Sequence, residues 1–504
     1  MTREDRRHWA AVGLITLVAA VLRLTDLDRF SFWIDEIITV CSADAIQDMR
    51  TLFTPSCGNM HPPLYFLLVK IWSWAGRDDG WLRLLPALFG VVTVPVVYLL
   101  ARELAGKSAG LVACALAAVS PFLLLHDREL RMYSLLTLLS TGSLLYFLRA
   151  LRHERHADWA VFTVLSILNL YTHYHAVLVL FGQALLLLLW VRRLQQWRPV
   201  LVSAVVIAVA FGFWMPQFVY QVQHPAAFAL DAPDKFPVIS GAGAARLGYA
   251  LFAMGVGQTV LPWRPIAVLG MVVIGALGAM GLWYARRHPR MPAVVMACGA
   301  APLLLGFAVS QSMPRYYIFV TPIFFTVVAV GWLAVRKAWA RSALASALLL
   351  VAGFGVTNYF RGRDFHILAT VDPWREVGAH LTEHAQPGDC LLPLGSYLPL
   401  KYYTNGLAPF QNAVVSDVAT AAACIEAGPS HRMWLVAGEG SMAARAAEAV
   451  RAFDSRYDRV GERMFLYDPD ASVKARWFRK SFLEYRVSIY LYQLRTPQAA
   501  NLRR

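Results

Sequence analysis

Read for its hydrophobic and polar positions, the chain alternates apolar runs with short charged loops as far as about residue 360. Eleven runs read as membrane spans: Trp9–Leu24, Trp81–Leu100, Ala109–Leu125, Met132–Leu148, Trp159–Tyr171, Ala176–Trp190, Val200–Val219, Pro265–Tyr284, Pro292–Val309, Ile318–Val335 and Leu344–Val356. Cations collect in alternate loops, at Arg102 and Lys107, Arg149 to Arg155, Arg192 to Arg198, Arg286 to Arg290, and Arg336 to Arg341. Arg3, Arg6 and Arg7 precede the first run. The positive-inside bias therefore predicts that these loops and the first residues are cytoplasmic, and that the remaining loops face outward. No small-residue cleavage site follows Trp9–Leu24, so that run reads as a retained helix.

From Arg361 the pattern changes. Trp374 to His384 reads as an amphipathic helix, Cys390–Pro393 as an apolar run after the Pro387-Gly388-Asp389 turn, and Met433–Ala437 as a strand. A helix over Ala443–Phe453 and strands at Met464–Tyr467 and Val487–Leu491 complete an alternating set. Residues 361–504 are thus expected to form an exported α/β domain, and residues 1–360 the polytopic α-helical membrane domain. In an oxidising compartment Cys390 and Cys424 are the expected bridge, Cys41–Cys57 stays open, and Cys114 and Cys298 read as packing residues.

Composition narrows the class. The 504 residues are 58% hydrophobic and only 16% charged, a polytopic membrane protein with a soluble part attached. The net charge of +15 is dispersed over the loops rather than gathered into a basic stripe, which excludes nucleic acid as a partner.

Candidate chemistry falls on the outward loops. The first, residues 25–80, carries Phe32-Trp33-Ile34-Asp35-Glu36 and then His61-Pro62-Pro63-Leu64-Tyr65. Ionisable groups at membrane level are usually functional. The bland alternative is a solvated loop with Phe32 and Trp33 in an aromatic belt. Pro63 can open a helix but not sit inside one, so Leu64–Trp74 reads as an interfacial helix headed by His61. Arg23, Arg83, Arg131 and Arg315 lie at outer ends of runs. One alone fits an interfacial anchor; four together point to an anionic ligand, because guanidinium matches phosphate oxygens with a two-pronged fork. Asp127 with Arg131, and Glu129 with Arg128 or Arg131, are open as simple ion pairs. A divalent ion held by Glu36, His61 and His173 is also left open, as is a hydrogen-bonding role for His61, His173 and His175. Two motifs are read as decoys. Ala101–Ser108 ends like a nucleotide-binding loop but lacks its first glycine, and Gly438–Ala443 is a glycine-rich strand-to-helix turn.

The segments Phe32-Trp33-x-Asp35-Glu36, His61-Pro62-Pro63-Leu64-Tyr65, Leu82-Arg83-Leu84-Leu85-Pro86 and Arg128-Glu129-Leu130-Arg131-Met132-Tyr133 follow one another in a telling order. Together they resemble the polyprenyl-phosphate-sugar-dependent membrane glycosyltransferases of the GT-C type, which include the protein O-mannosyltransferases and the lipid A aminoarabinose transferases. The resemblance implies inverting sugar transfer from a lipid-phosphate donor to a lipid, glycan or protein acceptor on the outer face of a bacterial inner membrane. It makes Asp35 the catalytic base with Glu36 beside it. The donor phosphate falls to Arg83, Arg131 and Arg315, supported by His61, Glu129, Tyr133, His173 and Tyr316. His61 stands where the aminoarabinose transferases have lysine. The rival reading is a transporter or flippase of lipid-linked sugars, against which stand the exported domain and an acidic pair outside the bilayer core.

Overall fold

The computed structural model describes residues 2–54, 56–190, 197–224, 243–288, 290–308, 313–363, 372–395, 397–410, 413–438, 443–466 and 486–495. Arg192, Arg193, the middle of the Tyr220–Trp263 loop, the end of the Pro292–Val309 run, Tyr467, and residues 439–442 of the glycine-rich turn lie outside them. Two compact units emerge: Met1–Asp28 with Thr39–Phe365, and Arg29–Ile38 with His366–Arg504. The helix Ile34–Asp44 begins in the second and ends in the first.

The first unit is helical, and each of the eleven expected runs coincides with helix. Six helices are long and apolar enough to cross a membrane: Glu4–Leu24, Asp79–Ala105, Tyr133–His153, Pro265–Ala285, Pro314–Ala334 and Ala338–Arg361. Two further runs are pairs bent by 58°, Lys107–Val119 with Pro121–Asp127 and Trp197–Gly212 with Met215–Gln223. The first bend follows from its sequence. Ser120 caps the second helix, accepting from Leu123 N–H at 3.2 Å, and Pro121 lacks the amide that would continue the first. The other three runs are the shorter helices His156–Leu170, Ala176–Trp190 and Met291–Gly306. Among the described residues that gives six spans, or eight with the bent pairs, and the protein is a multi-pass membrane protein.

Small residues let these helices approach. A Cβ at Gly281 would run into Val327 O, and one at Gly331 into Leu277 O, so Pro265–Ala285 and Thr321–Ala334 pack backbone against backbone. The first helix is fixed at its C-terminal end by two buried arginines. Arg23 Nε donates to Asp127 at 2.8 Å, and its other nitrogens to Ala117 O and Ala118 O at the end of the adjoining helix. Arg128 donates to the carbonyls of Leu22, Arg23, Thr25 and Asp26, and to the Tyr359 hydroxyl at 3.0 Å. It thereby caps carbonyls that a helix end leaves without partners.

These contacts revise three sequence expectations. Asp127 pairs with Arg23 rather than Arg131, because its helix stops at Asp127 and Arg131 is not one turn further along it. Glu129 pairs with His126 at 2.9 Å rather than with an arginine. Arg23 is committed to holding helices together and leaves the group of four. At the nucleotide-loop decoy, Gly106 turns the chain with φ +90° between two helices, and Lys107 pairs with Asp5 at 2.8 Å.

In the second unit, strands β1 (Cys390–Leu394), β2 (Arg432–Gly438), β3 (Asp458–Leu466) and β4 (Arg486–Gln493) form one sheet in the order β1-β2-β4-β3. β1 and β2 are parallel; β4 is antiparallel to both its neighbours. Alternate side chains serve opposite faces. Leu392, Met433, Leu435 and Tyr492 pack on the helices Val418–Ala427 and Ala443–Arg456. Leu391, Trp434, Val436 and Ile489 pack on Trp374–His384. Helices on both faces of a sheet make a small α/β layer structure.

Both cysteine pairs are joined, Cys41–Cys57 in the first unit and Cys390–Cys424 in the second. Cys114 and Cys298 are free and buried. Protein unfolded without reductant is therefore expected to titrate two thiols out of the chain's six cysteines; six would exclude both bridges. Closing the 34-residue separation from Cys390 to Cys424 is worth about 4 kcal/mol of chain entropy, so reduction should lower this unit's unfolding midpoint well before its helices are otherwise perturbed.

Candidate functional site

The first unit gathers most of the residues singled out above. His61 precedes the short helix Leu64–Trp72, whose first amide, Leu64 N–H, donates to Tyr171 O at 3.0 Å. That bond ties its loop to the turn Thr172–His175. Asn59 Oδ1 accepts from His61 N–H at 2.9 Å and fixes the backbone there. The His61 and His173 rings stack with centroids 4.8 Å apart, and His175 lies 4.9 Å from His173.

Around this stack stand aromatic rings and cations. Tyr133, at the head of Tyr133–His153, is 5.9 Å from the His173 ring, and Tyr316 is 5.9 Å from His173 and 5.1 Å from His175. Tyr316 and Arg315 come from the 3-10 turn Pro314–Val320. The Arg315 guanidinium lies 5.6 Å from the Tyr133 ring centre and 5.8 Å from that of Tyr316. Arg131 Nη1 donates to Thr39 Oγ1 at 3.0 Å. Both guanidinium groups are buried, at 4% and 7% exposure. Behind Tyr133, His126 joins Glu129 to Gln258 at 3.0 Å, and Gln258 donates to the Tyr249 hydroxyl. Arg83 is buried too, its Nη1 donating to Leu27 O at 3.3 Å.

Burial holds the His61 ring far below the ordinary imidazole range, and the positive field of Arg131 and Arg315 adds to it. Burial does the same to His173, helped by the neighbouring His61 and His175 and then by Arg131 and Arg315; burial brings His175 down to about 4. All three are neutral at physiological pH. His173 Nδ1 accepts from the His175 amide at 3.1 Å, so the ring proton sits on Nε2. That Nε2 is buried, with no partner among the described residues, and His61 Nδ1 is likewise shut off and unpartnered. A donor is thus held ready in the field of two arginines. No group of three or more His, Cys, Asp or Glu placed to hold a metal occurs among the described residues. Two stacked rings in an arginine field are a poor fit to a cation.

Asp35 and Glu36 fall in the second unit, in the first turn of Ile34–Asp44. Glu36 is fully buried and its Oε2 accepts from Trp33 N–H at 3.2 Å, turning back on the residue that precedes the helix as the glutamate of a capping box does. Asp35 remains partly exposed. The stretch before them is held by Ser31 Oγ donating to Asp372 O, by Phe32 N–H donating to the Tyr403 hydroxyl, and by Phe32 meeting Tyr402 at 5.7 Å. Burial, with the negative Glu36 nearby, pushes the Asp372 carboxyl well above the usual range, against the Trp374 indole bond.

Comparison with known proteins adds the fold. Residues 60–216 match the family described as dolichyl-phosphate-mannose-protein mannosyltransferase. Apo ArnT from Cupriavidus metallidurans superposes with a TM-score of 0.53 at 14% identity, over 95% of this chain and 97% of that one. The archaeal oligosaccharyltransferase AglB from Archaeoglobus fulgidus, with an inhibitory peptide and dolichol phosphate, gives 0.55 at 13%, over 93% and 74%. The chain has the GT-C glycosyltransferase fold. ArnT bound to undecaprenyl phosphate gives 0.50 at 14%, over 95% and 97%. No curated protein matches the chain by sequence.

Within the GT-C fold, the sequence motifs lead to His61, His173, Tyr133, Arg131, Arg315 and Tyr316 in one cluster. Glu129 stands one residue removed from it, through His126. Thr39 and Gln258 were missed, since an isolated hydroxyl or amide in an apolar run carries no pattern. His126 was visible only as part of a polar knot.

Proposed function

We propose that the protein transfers a sugar from a polyprenyl-phosphate donor to an envelope glycolipid, polysaccharide or protein, with inversion at the anomeric carbon, on the outer face of a bacterial inner membrane. The observation that carries the proposal is the buried, unpartnered His173 Nε2–H beside Arg131 and Arg315: a donor set for a phosphate inside a membrane protein. The undecaprenyl phosphate of ArnT and the dolichol phosphate of AglB support the same ligand class. The eleven helical runs are taken as eleven spans, and the unit from His366 as exported.

In this reading Asp35 takes the proton of the acceptor hydroxyl as its oxygen bonds to the anomeric carbon. The bond from that carbon to the phosphate oxygen breaks, and polyprenyl phosphate leaves with the electron pair. Arg131, Arg315 and His173 receive the charge that develops on it, with Arg83 as a further cation of the phosphate site. Tyr133 and Tyr316 hold the guanidinium of Arg315 against their ring faces. Glu36 shapes the helix start that presents Asp35.

The test is transfer itself. Purified protein given a polyprenyl-phosphate sugar and envelope lipid or exported protein should release polyprenyl phosphate and label the acceptor. Flux of intact donor across a vesicle membrane without product would instead establish the transporter.

A further inference from the structure

Residues Arg29–Ile38 belong to the second unit, although the chain on either side, Met1–Asp28 and Thr39–Phe365, belongs to the first. They carry Asp35, and residues more than three hundred positions away hold them. Ser31 Oγ donates to the Asp372 backbone carbonyl, and Phe32 N–H to the Tyr403 hydroxyl. Arg375 Nη2 reaches Phe30 O at 3.5 Å, and the buried Phe32 ring meets Tyr402. Tyr403 is itself fixed. A Cβ at Gly378 would stand 2.7 Å from the Tyr403 Cβ, so the helices Trp374–His384 and Tyr397–Tyr403 meet with no room for a side chain between them. Two packed helices, rather than a loop, present the Tyr403 hydroxyl to the Phe32 amide.

The Asp372 carboxyl acts on the other side of Asp35. Its Oδ2 accepts from Trp374 Nε1–H at 2.9 Å, and its Oδ1 is buried with no partner among the described residues. The charge it feels is that of Glu36, and both side chains are shut off from solvent. Two carboxylates so placed repel each other with little water to screen them. Burial first, and Glu36 after it, therefore favour the neutral form of Asp372. An uncharged Asp372 leaves Glu36 undisturbed in its bond to Trp33 N–H, which shapes the helix turn that carries Asp35. Tyr403 thus fixes the chain before Asp35, and Asp372 protects the residue after it.

We infer that Tyr403 and Asp372 are positioning residues for the base, so that the second unit holds Phe32–Glu36 in the form in which Asp35 acts. The inference rests on the role proposed above for Asp35, and it gives the C-terminal part of the chain a share in the reaction. Neither residue touches the reacting atoms: Tyr403 works through the Phe32 amide and Asp372 through Glu36.

The test uses the full chain in nanodiscs with Tyr403→Phe, Asp372→Ala and Asp372→Asn. Hydrogen exchange reads the peptide Phe30–Ile38, and bound undecaprenyl phosphate counts the folded molecules. Transfer is followed with whichever of undecaprenyl-phosphate glucose, mannose or 4-amino-4-deoxyarabinose the wild type turns over. In Tyr403→Phe the peptide should exchange about tenfold faster while Arg432–Gly438 exchanges as before. Its kcat per folded molecule should fall about tenfold with the donor KM unchanged, as when a reacting group is displaced. Asp372→Ala should behave alike. Asp372→Asn, uncharged and still an acceptor for Trp374, should recover most of the loss. Unchanged exchange or unchanged kcat in Tyr403→Phe overturns the inference. An Asp372→Asn protein as slow as Asp372→Ala does so too, because the carboxylate charge would then be what is needed. In either case an inactive Asp35→Asn protein leaves the transfer reading standing. Wild-type turnover by Asp35→Asn, or no transfer from any of the three donors, overturns that reading and the inference with it.

Discussion

Asp35→Asn is expected to lower sugar transfer by about 10³-fold, the scale lost with a well-placed general base, while the protein still inserts and binds undecaprenyl phosphate. The two carboxylates of this helix start are not equivalent. Glu36 is buried and accepts from Trp33 N–H, whereas Asp35 keeps an exposed side. Asparagine in place of Asp35 preserves shape and hydrogen bonding, but its amide cannot take a proton from a hydroxyl. Glu36→Gln retains an oxygen for Trp33 and should reduce turnover only partly, with a stability loss of about 1 kcal/mol or less, as for a weakened cap. Turnover per folded molecule, measured beside donor binding, separates the cases. A wild-type rate for Asp35→Asn would place the base elsewhere and sink the mechanism.

The second large effect is expected at Arg131 and Arg315. Alanine at either should cost about 3 kcal/mol of transition-state stabilisation, about a hundredfold or more in kcat/KM. Lysine keeps the charge but loses the fork, and should retain part of the rate. Arg131 has a second task in holding Thr39, so Thr39→Val serves as its control. If Arg131 works only through that bond, the valine variant will match the alanine one. Interfacial anchors would behave otherwise: lysine would serve as well as arginine, and alanine would depress yield rather than turnover. Normal turnover in both alanine variants would end the phosphate-clamp reading.

How far such a site can be read from a sequence depended on how local its signals were. The apolar runs declared their helices because an unbroken apolar stretch between charged loops is a local signal. The strands around Met433 and Val487 showed as short apolar runs, and the turn at Gly388, with φ +89°, as a Pro-Gly-Asp signal. Arginines were harder. Arg23, Arg128, Arg131 and Arg315 look alike in sequence, yet Arg23 and Arg128 are occupied with carbonyls more than ninety residues away, and only Arg131 and Arg315 flank the histidines. Long-range partners of that kind leave no spacing to read. Glu36 was legible as an acid beside Asp35 but not as a cap, since the same dipeptide serves either purpose.

The partnership between Arg128 and the end of the first helix has a bearing on how the protein is made. Leu22, Arg23 and Thr25 emerge from the ribosome some hundred residues ahead of the guanidinium that will receive their carbonyls. Arg23 likewise waits for Asp127. At the rate of translation that interval is roughly five to twenty seconds. Throughout it, the end of the first helix carries a cation and carbonyls whose later partners have not yet been made. The helix's packing on Asp79–Ala105, where Trp9 meets Tyr98, is available sooner, and only these polar contacts wait. The polar contacts that finish the first segment are therefore completed only when residues 127 and 128 arrive.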